Sequence, residues 1–121
     1  MAEIGEIMAK NAKVDYDSKC DSLYVFTGRK ANDSIELGNY VVDFDNDEKV
    51  SGIEIFDISK MLGVSKPMID LAKVKDAQLN VSQSKSSIYV MVLLRAVMAG
   101  KSVEKELIMS VPRVSEIKTL N

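Results

Sequence analysis

The stretch of residues 40–59 constrains the fold of this chain more than any other. It contains two apolar runs, Tyr40–Phe44 and Val50–Phe56, which are rich in β-branched and aromatic residues. Between them lies a polar cluster of turn formers, Asp-Asn-Asp-Glu-Lys. Two such runs around a polar turn are typical of a β-hairpin. The segment therefore predicts two antiparallel strands and a core built from sheet.

Alternation of apolar and polar residues predicts further strands on both sides of this hairpin. Residues 77–82 show it most clearly, because Ala77, Leu79 and Val81 alternate with polar residues, as in a strand with one face toward water. The remaining predicted strands are residues 13–16, 22–27, 35–37 and 103–111. Pro112 is expected to end the last one, because proline cannot donate a ladder hydrogen bond.

The strand predicted for residues 88–98, from Ile88 to Met98, differs from the others. Its apolar residues fall on both faces, since Val90 and Val92 alternate with Tyr89 and Leu93. Such a strand must be covered on both sides, and one chain of 121 residues has few elements to do so. We therefore expect a homo-oligomer, most simply a dimer, that forms through the Ile88 to Met98 strand.

Helical signals are confined to the middle of the chain. Asp57 or Ser59 is suited to cap a short helix that Gly63 would end. A second short helix is predicted from Ser65, with Pro67 in its first turn and apolar residues up to Ala72. The expected fold class is α+β, mainly antiparallel sheet (meander or hairpins) with one or two short central helices, in a single domain of residues 1–121.

A weak internal repetition accompanies these elements. The strand Leu23-Tyr24-Val25-Phe26 and the strand Ile88-Tyr89-Val90-Met91 have the same pattern at an offset of 65 residues. Two copies of one unit would give pseudo-symmetric halves. Unrelated hairpins also share this pattern, so both interpretations stay open.

Composition excludes several kinds of site. The chain has no histidine and one cysteine, Cys20, so Cys/His zinc sites and histidine-dependent triads cannot form within it. We assign no catalytic residue, no metal ligand and no cofactor, and the composition favours a noncatalytic protein. A lone cysteine, an N-terminus without a signal-peptide pattern and apolar runs too short to span a bilayer favour a cytoplasmic protein without a membrane segment.

Charge gives little support for nucleic-acid binding. Sixteen basic and eighteen acidic residues are interspersed and give a net charge of −2. A mildly basic middle lacks interleaved aromatic residues and is typical of a solvated surface; it consists of Lys66, Lys73, Lys75 and Lys85.

A row of oxygen-bearing residues in the 40–59 hairpin resembles a calcium loop. It comprises Asp43, Asp45, Asp47, Ser51 and Glu54, at positions one, three, five, nine and twelve of the template. The glycine required at position six is Glu48 here, and the flanks are predicted strands instead of helices. The spacing therefore favours a polar hairpin turn over an ion site.

An alternative function is small-ligand binding or catalysis by carboxylates and a tyrosine in a pocket floored by the sheet. Glu36 and Glu54 would supply the carboxylates, and burial of Glu54 would raise its pKa. Tyr24, Tyr40 or Tyr89 would supply the phenol, although tyrosines at strand spacing are more often core or interface residues.

The first half of the chain also carries a linked set of short motifs. They are Tyr16-Asp17, Asp21-x-Leu23-Tyr24-Val25, Ser34-x-Glu36, Val41-Val42-Asp43-x-Asp45, Val50-x-Gly52-Ile53-Glu54-Ile55 and Asp57-x-Ser59. In these residues the chain resembles the bacterial and archaeal family called domain of unknown function 2283, over about residues 13–62. The resemblance implies a curved antiparallel sheet with a short helix after the Gly-Ile-Glu-Ile strand, and it implies no reaction or substrate. Residues 63–121 lie outside it and are expected to form a helix and a β-rich extension.

Overall fold

The chain folds around one antiparallel sheet. The computed structural model describes residues 8–63, 74, 76–98 and 100–112, and everything below refers to these residues. The strands are β1 (Met8–Asp17), β2 (Ser22–Phe26), β3 (Asp33–Leu37), β4 (Tyr40–Phe44), β5 (Val50–Phe56), β6 (Asp76–Gln83), β7 (Ser87–Met98) and β8 (Lys101–Pro112). The helix α1 (Ile58–Leu62) follows β5. The strand order is β3-β4-β5-β2-β1-β6-β7-β8, so β3 and β8 form the two edges.

Strand β1 divides its hydrogen bonds between two neighbours. Its first half, residues 8–12, pairs with β6, and its second half, residues 13–17, pairs with β2. The sequence Met-Ala-Lys-Asn-Ala at its start has no β-branched residue. This lack explains why the prediction began the strand only at Lys13. Pairing with β6 nevertheless holds this part in the sheet.

One face of the sheet, here called the inner face, carries the core. Alternation points every second side chain to it, and these side chains are mostly Val, Leu and Ile. The fully buried members include Leu23, Val25, Val42, Ile53, Ile55, Val90, Val92 and Val111. Burial of each such side chain contributes about 1.5–3 kcal/mol relative to exposure. The core thus follows directly from the predicted alternation.

The sheet curls over this core, so that its two ends approach each other. The hydroxyl of Tyr40, on β4, donates a hydrogen bond to the backbone oxygen of Ser110, on β8, at 3.0 Å. Helix α1 adds Ile58 and Leu62 to the same apolar cluster. The curved sheet with a short helix after β5, which the family resemblance implied, is observed.

The expected fold class is wrong in its helical part. The described residues contain one helix of five residues, α1, and the other elements are antiparallel strands. An α+β class with one or two helices is therefore not supported, because a segment of little more than one turn adds no helical layer. The second predicted helix, Ser65 to Ala72, lies outside the described residues.

The predicted hairpins are confirmed. Strand β4 pairs with β5 in antiparallel register, with an irregularity between Asp43 and Phe44, and β1 pairs with β2. Gly63 ends α1 in the left-handed conformation, at φ 71°, as the sequence indicated. In the two hairpins of the internal repetition, Leu23 and Ile88 are both buried.

Candidate functional site

The outer face of the sheet, opposite the core, divides into two chemically different halves. Over β1 to β5 it carries acidic residues and an aromatic pair. Over β6 to β8 it carries apolar side chains that the core does not use. The register places Tyr89 opposite Ser110, Met91 opposite Ile108 and Leu93 opposite Glu106, all on this outer face.

The apolar half contains a continuous surface patch. We define the β7–β8 patch as Tyr89, Met91 and Leu93 of β7 together with Ile108 of β8. Tyr89 is 40% exposed and Ile108 is 64% exposed, whereas Met91 and Leu93 are half-buried. The predicted double-sided apolar character of β7 is therefore observed, since Ile88, Val90, Val92 and Leu94 are buried on the inner face.

A groove of about 250 Å³ opens beside this patch. It is lined by Asn80, Val81, Ser82, Tyr89, Met91 and Ile108. Asn80 Oδ1 is buried and has no hydrogen-bond partner in the described part of the chain. An unpaired buried acceptor of this kind costs about 1–3 kcal/mol of stability.

Charged side chains border the patch at the end distant from Tyr89. Arg95 Nε lies 3.0 Å from Glu104 Oε2, and Glu106 is exposed beside them. The border therefore carries both signs of charge. This end of the patch is therefore polar and carries a cation beside acidic side chains.

The acidic half of the outer face is organised by Asp43. Its carboxylate accepts hydrogen bonds from the Tyr24 hydroxyl and from the Ser34 hydroxyl, each at 2.7 Å. The Tyr24 ring stacks on Phe26 with centroids 4.8 Å apart. A Cβ atom on Gly52 would lie 3.0 Å from the Tyr24 hydroxyl oxygen, so the Tyr24 side chain would have to shift to admit a larger residue.

Burial raises the pKa of Tyr24 to about 12, and the hydrogen bond to Asp43 and the charges of Asp43 and Glu54 act in the same direction. The phenol is thus fully protonated near neutral pH. A phenol held in this state is a hydrogen-bond donor and a poor general base. The Tyr24 network is suited to hold β2, β3 and β4 together.

Glu36 and Glu54 are on the same outer face as Tyr24. Glu54 is directly opposite Tyr24, and Val41 separates Glu54 from Glu36 in the same cross-strand row. The other candidate tyrosines lie elsewhere: Tyr40 is on the inner face, and Tyr89 is in the β7–β8 patch. The structure therefore places Glu36, Glu54 and Tyr24 in one row of the outer face, in which Glu54 neighbours Tyr24 and Glu36 lies two strands beyond Glu54. The groove lies on the other half of the sheet.

The residues of the calcium template are engaged separately. Asp45 closes the β4–β5 turn, where its Oδ1 accepts the backbone N–H groups of Asp47 at 2.8 Å and Lys49 at 3.0 Å. Its Oδ2 lies 2.8 Å from Arg29 Nε. Burial alone raises the pKa of Asp45, but the backbone N–H groups of Lys49 and Asp47, with Arg29, outweigh it and lower the pKa.

Asp43 and Asp45 therefore have different partners, and Asp47 contacts Arg29. Across the described residues, no three acidic or cysteine side chains gather in a way that could hold a metal ion. The hairpin turn that the sequence favoured is observed at this position.

A buried polar cluster around Asp21 was not predicted from the sequence. This residue is 5% exposed, and its Oδ1 accepts hydrogen bonds from the Ser59 hydroxyl at 2.6 Å and the Tyr16 hydroxyl at 2.8 Å. The Ser59 backbone N–H points to Oδ2 at 3.3 Å. All three residues belong to the linked motifs listed above, which was the available signal.

Asp57 occupies the predicted capping position of α1, but its side chain makes no capping hydrogen bond. Asp21 performs that function from another turn.

As for membranes, none of the helices in the described ranges has the length and apolar character needed to cross a bilayer.

Comparison with known proteins bears on the first half of the chain. A protein of Methanocaldococcus jannaschii described as uncharacterized is 40% identical over 55 residues, which are 45% of this chain and 47% of that protein. The chain thus spans about half the length of this relative. No solved structure matches the chain. Residues 13–59 match the model of a family described as "Protein of unknown function (DUF2283)". The resemblance read from the motifs is thereby confirmed: over residues 13–59 the chain is similar to the DUF2283 family.

Proposed function

We propose that this protein is a small noncatalytic self-association module whose contact surface is the β7–β8 patch. The observation that carries the proposal is the exposure of Tyr89 and Ile108 in one apolar surface opposite the core. Contiguous exposed apolar side chains with a polar border are typical of protein contact sites. The neighbouring groove gives the surface a shape that a partner side chain can fill.

A second copy of the chain is the occupant that this surface favours. Its border carries Arg95 together with Glu104 and Glu106, so both signs of charge are present. A two-fold axis that lies between the two faces and runs along the strands brings each border to the same border of the other copy, where a cation can meet an acid. Charge complementarity of the patch with itself supports a homodimer over contact with a strongly charged partner.

Packing through the face is favoured over pairing through the edge of β8. A two-fold axis perpendicular to the sheet pairs β8 with a second β8 and keeps outer residues opposite outer residues. In registers centred on residues 103–106, like charges of the two copies then lie opposite each other. Depending on the register, Lys101 faces Lys105 of the other copy, or Glu104 or Glu106 faces one of these two glutamates of the other copy. Like charges directly opposite each other are destabilising. In those registers these charges disfavour edge pairing, as is common for exposed edge strands.

The test is the mass of the protein in solution, measured by light scattering and sedimentation equilibrium at micromolar concentrations. We expect the unmodified chain to be a dimer and the Ile108→Glu variant to be a monomer. Ile108 is largely exposed, so this substitution leaves the core intact.

Met61→Glu is the matched control, because Met61 is 38% exposed and lies on α1, outside the patch. This variant should remain a dimer. A monomeric unmodified chain would overturn the proposal, as would an Ile108→Glu variant that dimerises with unchanged affinity.

A further inference from the structure

We propose that the two copies are related by a two-fold axis that runs along the strands, midway between β7 and β8. Ile108 of each copy then packs on Met91 of the other, and Arg95 of each copy pairs with Glu104 of the other. The inference rests on the proposed self-association and goes beyond it, because it specifies which residues recognise the second copy.

The first step concerns the register of β7 and β8. On the outer face Met91 is directly opposite Ile108, and Arg95 is directly opposite Glu104. A two-fold axis midway between the strands exchanges β7 with β8 and keeps each position along the strand direction. Each outer residue of β7 therefore faces, across the contact, the β8 residue of the second copy that corresponds to its own cross-strand neighbour.

The second step concerns the shape of the sheet. The sheet curls over its inner face, where Tyr40 of β4 reaches Ser110 of β8, so its outer face is convex. Two convex faces with aligned strands touch over few strands, and their line of contact runs along the strands. The contact therefore centres on β7 and β8, which carry the patch.

The third step concerns the apolar contact. Ile108 is 64% exposed, and Met91 is half-buried in the wall of the groove. In the proposed arrangement Ile108 of each copy closes over the groove of the other, beside Met91 and Tyr89. Methionine side chains adapt their shape to a neighbour, so Met91 is suited to receive a branched aliphatic group.

The fourth step concerns the charged border, which selects the position of the axis. An axis above β7 would place Arg95 over itself, and an axis above β8 would place Glu104 and Glu106 over themselves. Such like-charge contacts are repulsive. The axis midway between the strands places Arg95 over Glu104 instead. These side chains are 46% and 58% exposed, so each has surface that a second partner can reach.

A two-fold axis that crosses the strands is the alternative arrangement. Centred on Ile108, it would stack this residue on itself and place Arg95 over Ser87 and Glu106 over Ser110. The charged border would then face serines and gain no opposite charge. The charge pattern therefore favours the axis along the strands.

The experiment mixes two variants with opposite charge changes, Arg95→Glu and Glu104→Arg. The homodimer of either variant has like charges in both contacts between the copies. In the mixed dimer both contacts again join opposite charges, whereas the pair within each chain stays repulsive. A preference for the mixed dimer therefore reports on the contacts between copies alone.

Native mass spectrometry after subunit exchange measures this preference. Random exchange gives as much mixed dimer as the two homodimers together, and the charge contacts predict a ratio about 3- to 10-fold higher. Salt at about 1 M should reduce the preference, because it screens exposed charges. The matched control is the pair Lys19→Glu and Glu36→Lys, which has the same net charges at exposed positions outside the patch and should exchange at random.

The outcomes separate the two proposals. Random exchange of the Arg95→Glu and Glu104→Arg chains in a dimeric protein overturns this inference and leaves self-association standing. An equal preference in the control pair would assign the effect to net charge and would also overturn it. A monomeric unmodified chain overturns both proposals.

Discussion

Asp21 caps helix α1 from 38 residues away: its carboxylate accepts the Ser59 backbone N–H at 3.3 Å and also the Ser59 hydroxyl at 2.6 Å. The backbone oxygen of Asp21 also accepts the N–H of Ile58 at 3.1 Å. The β1–β2 turn therefore holds the start of a helix that is too short to be stable alone. This arrangement predicts that the turn and the helix lose stability together.

We expect Asp21→Asn to lower the free energy of unfolding by about 1.5–3 kcal/mol, since it weakens hydrogen bonds to a buried charged group. Urea denaturation measures this value. Asp57→Asn is the matched control, because Asp57 shares the left-handed backbone conformation of Asp21 but caps nothing with its side chain. A loss of equal size in both variants would contradict the capping role.

The raised pKa of Tyr24 predicts a loss of stability at high pH. A tyrosine has a pKa of about 10 in the unfolded chain, whereas the folded pKa is about 12. The folded state therefore holds this proton more tightly, so the contribution is fully present below pH 10 and is lost as the pH rises through 12.

The measurement compares the unfolding free energy of the unmodified chain and the Tyr24→Phe variant at a series of pH values from 8 upward. Their difference should fall only above pH 10, because every other side chain is common to both proteins. If the difference begins to fall near neutral pH, the hydrogen bond to Asp43 does not hold the phenol proton as described.

Gly52 should be intolerant of even one methyl group. A Cβ atom would lie 3.0–3.2 Å from Tyr24 and Phe26, so Gly52→Ala is expected to cost about 1–3 kcal/mol through overpacking. Ser51→Ala is the neighbouring control: the Ser51 hydroxyl is buried without a hydrogen-bond partner in the described residues, so its removal should be neutral or stabilising. Thermal and urea unfolding of both variants test the contrast, and a tolerated Gly52→Ala would contradict it.

The lowered pKa of Asp45 predicts sensitivity to acid. Because the folded pKa lies below the unfolded value of about 3.9, its contribution is present above that value and is lost as the pH falls through the folded pKa. Asp45→Asn should cost about 1–2 kcal/mol near neutral pH and progressively less below pH 4.

Asp47→Asn is the control for this prediction, since Asp47 also contacts Arg29 but is exposed. An exposed ion pair contributes about 0.2–1 kcal/mol, so this variant should change stability little. Equal losses in the two variants at neutral pH would show that the turn does not depend on the buried carboxylate.

Local patterns predicted the strands well because one face of the sheet is buried. The alternation at Leu23 and Val25, or at Leu79 and Val81, leaves one register that buries the apolar side chains. The α+β class was wrong because a capping residue beside a short apolar segment predicts a helix but not its length, and α1 has only five residues.

The polar contacts were less predictable, since they join distant parts of the chain. Asp21 lies in a turn by sequence, and only the fold brings it to Ser59. Tyr24 and Asp43 likewise meet because β2, β5 and β4 are neighbours in space. The apolar outer face of β7 was predictable, because it needs only the alternation within one strand.

Strand β1 links the family-like segment to the C-terminal strands. The family match begins at residue 13, and there β1 changes its partner from β6 to β2. The C-terminal strands are thus joined to the family segment by a shared strand. Removing them would leave five residues of β1 unpaired and the inner face uncovered. We therefore expect hydrogen exchange to show both halves of β1 opening in one cooperative event.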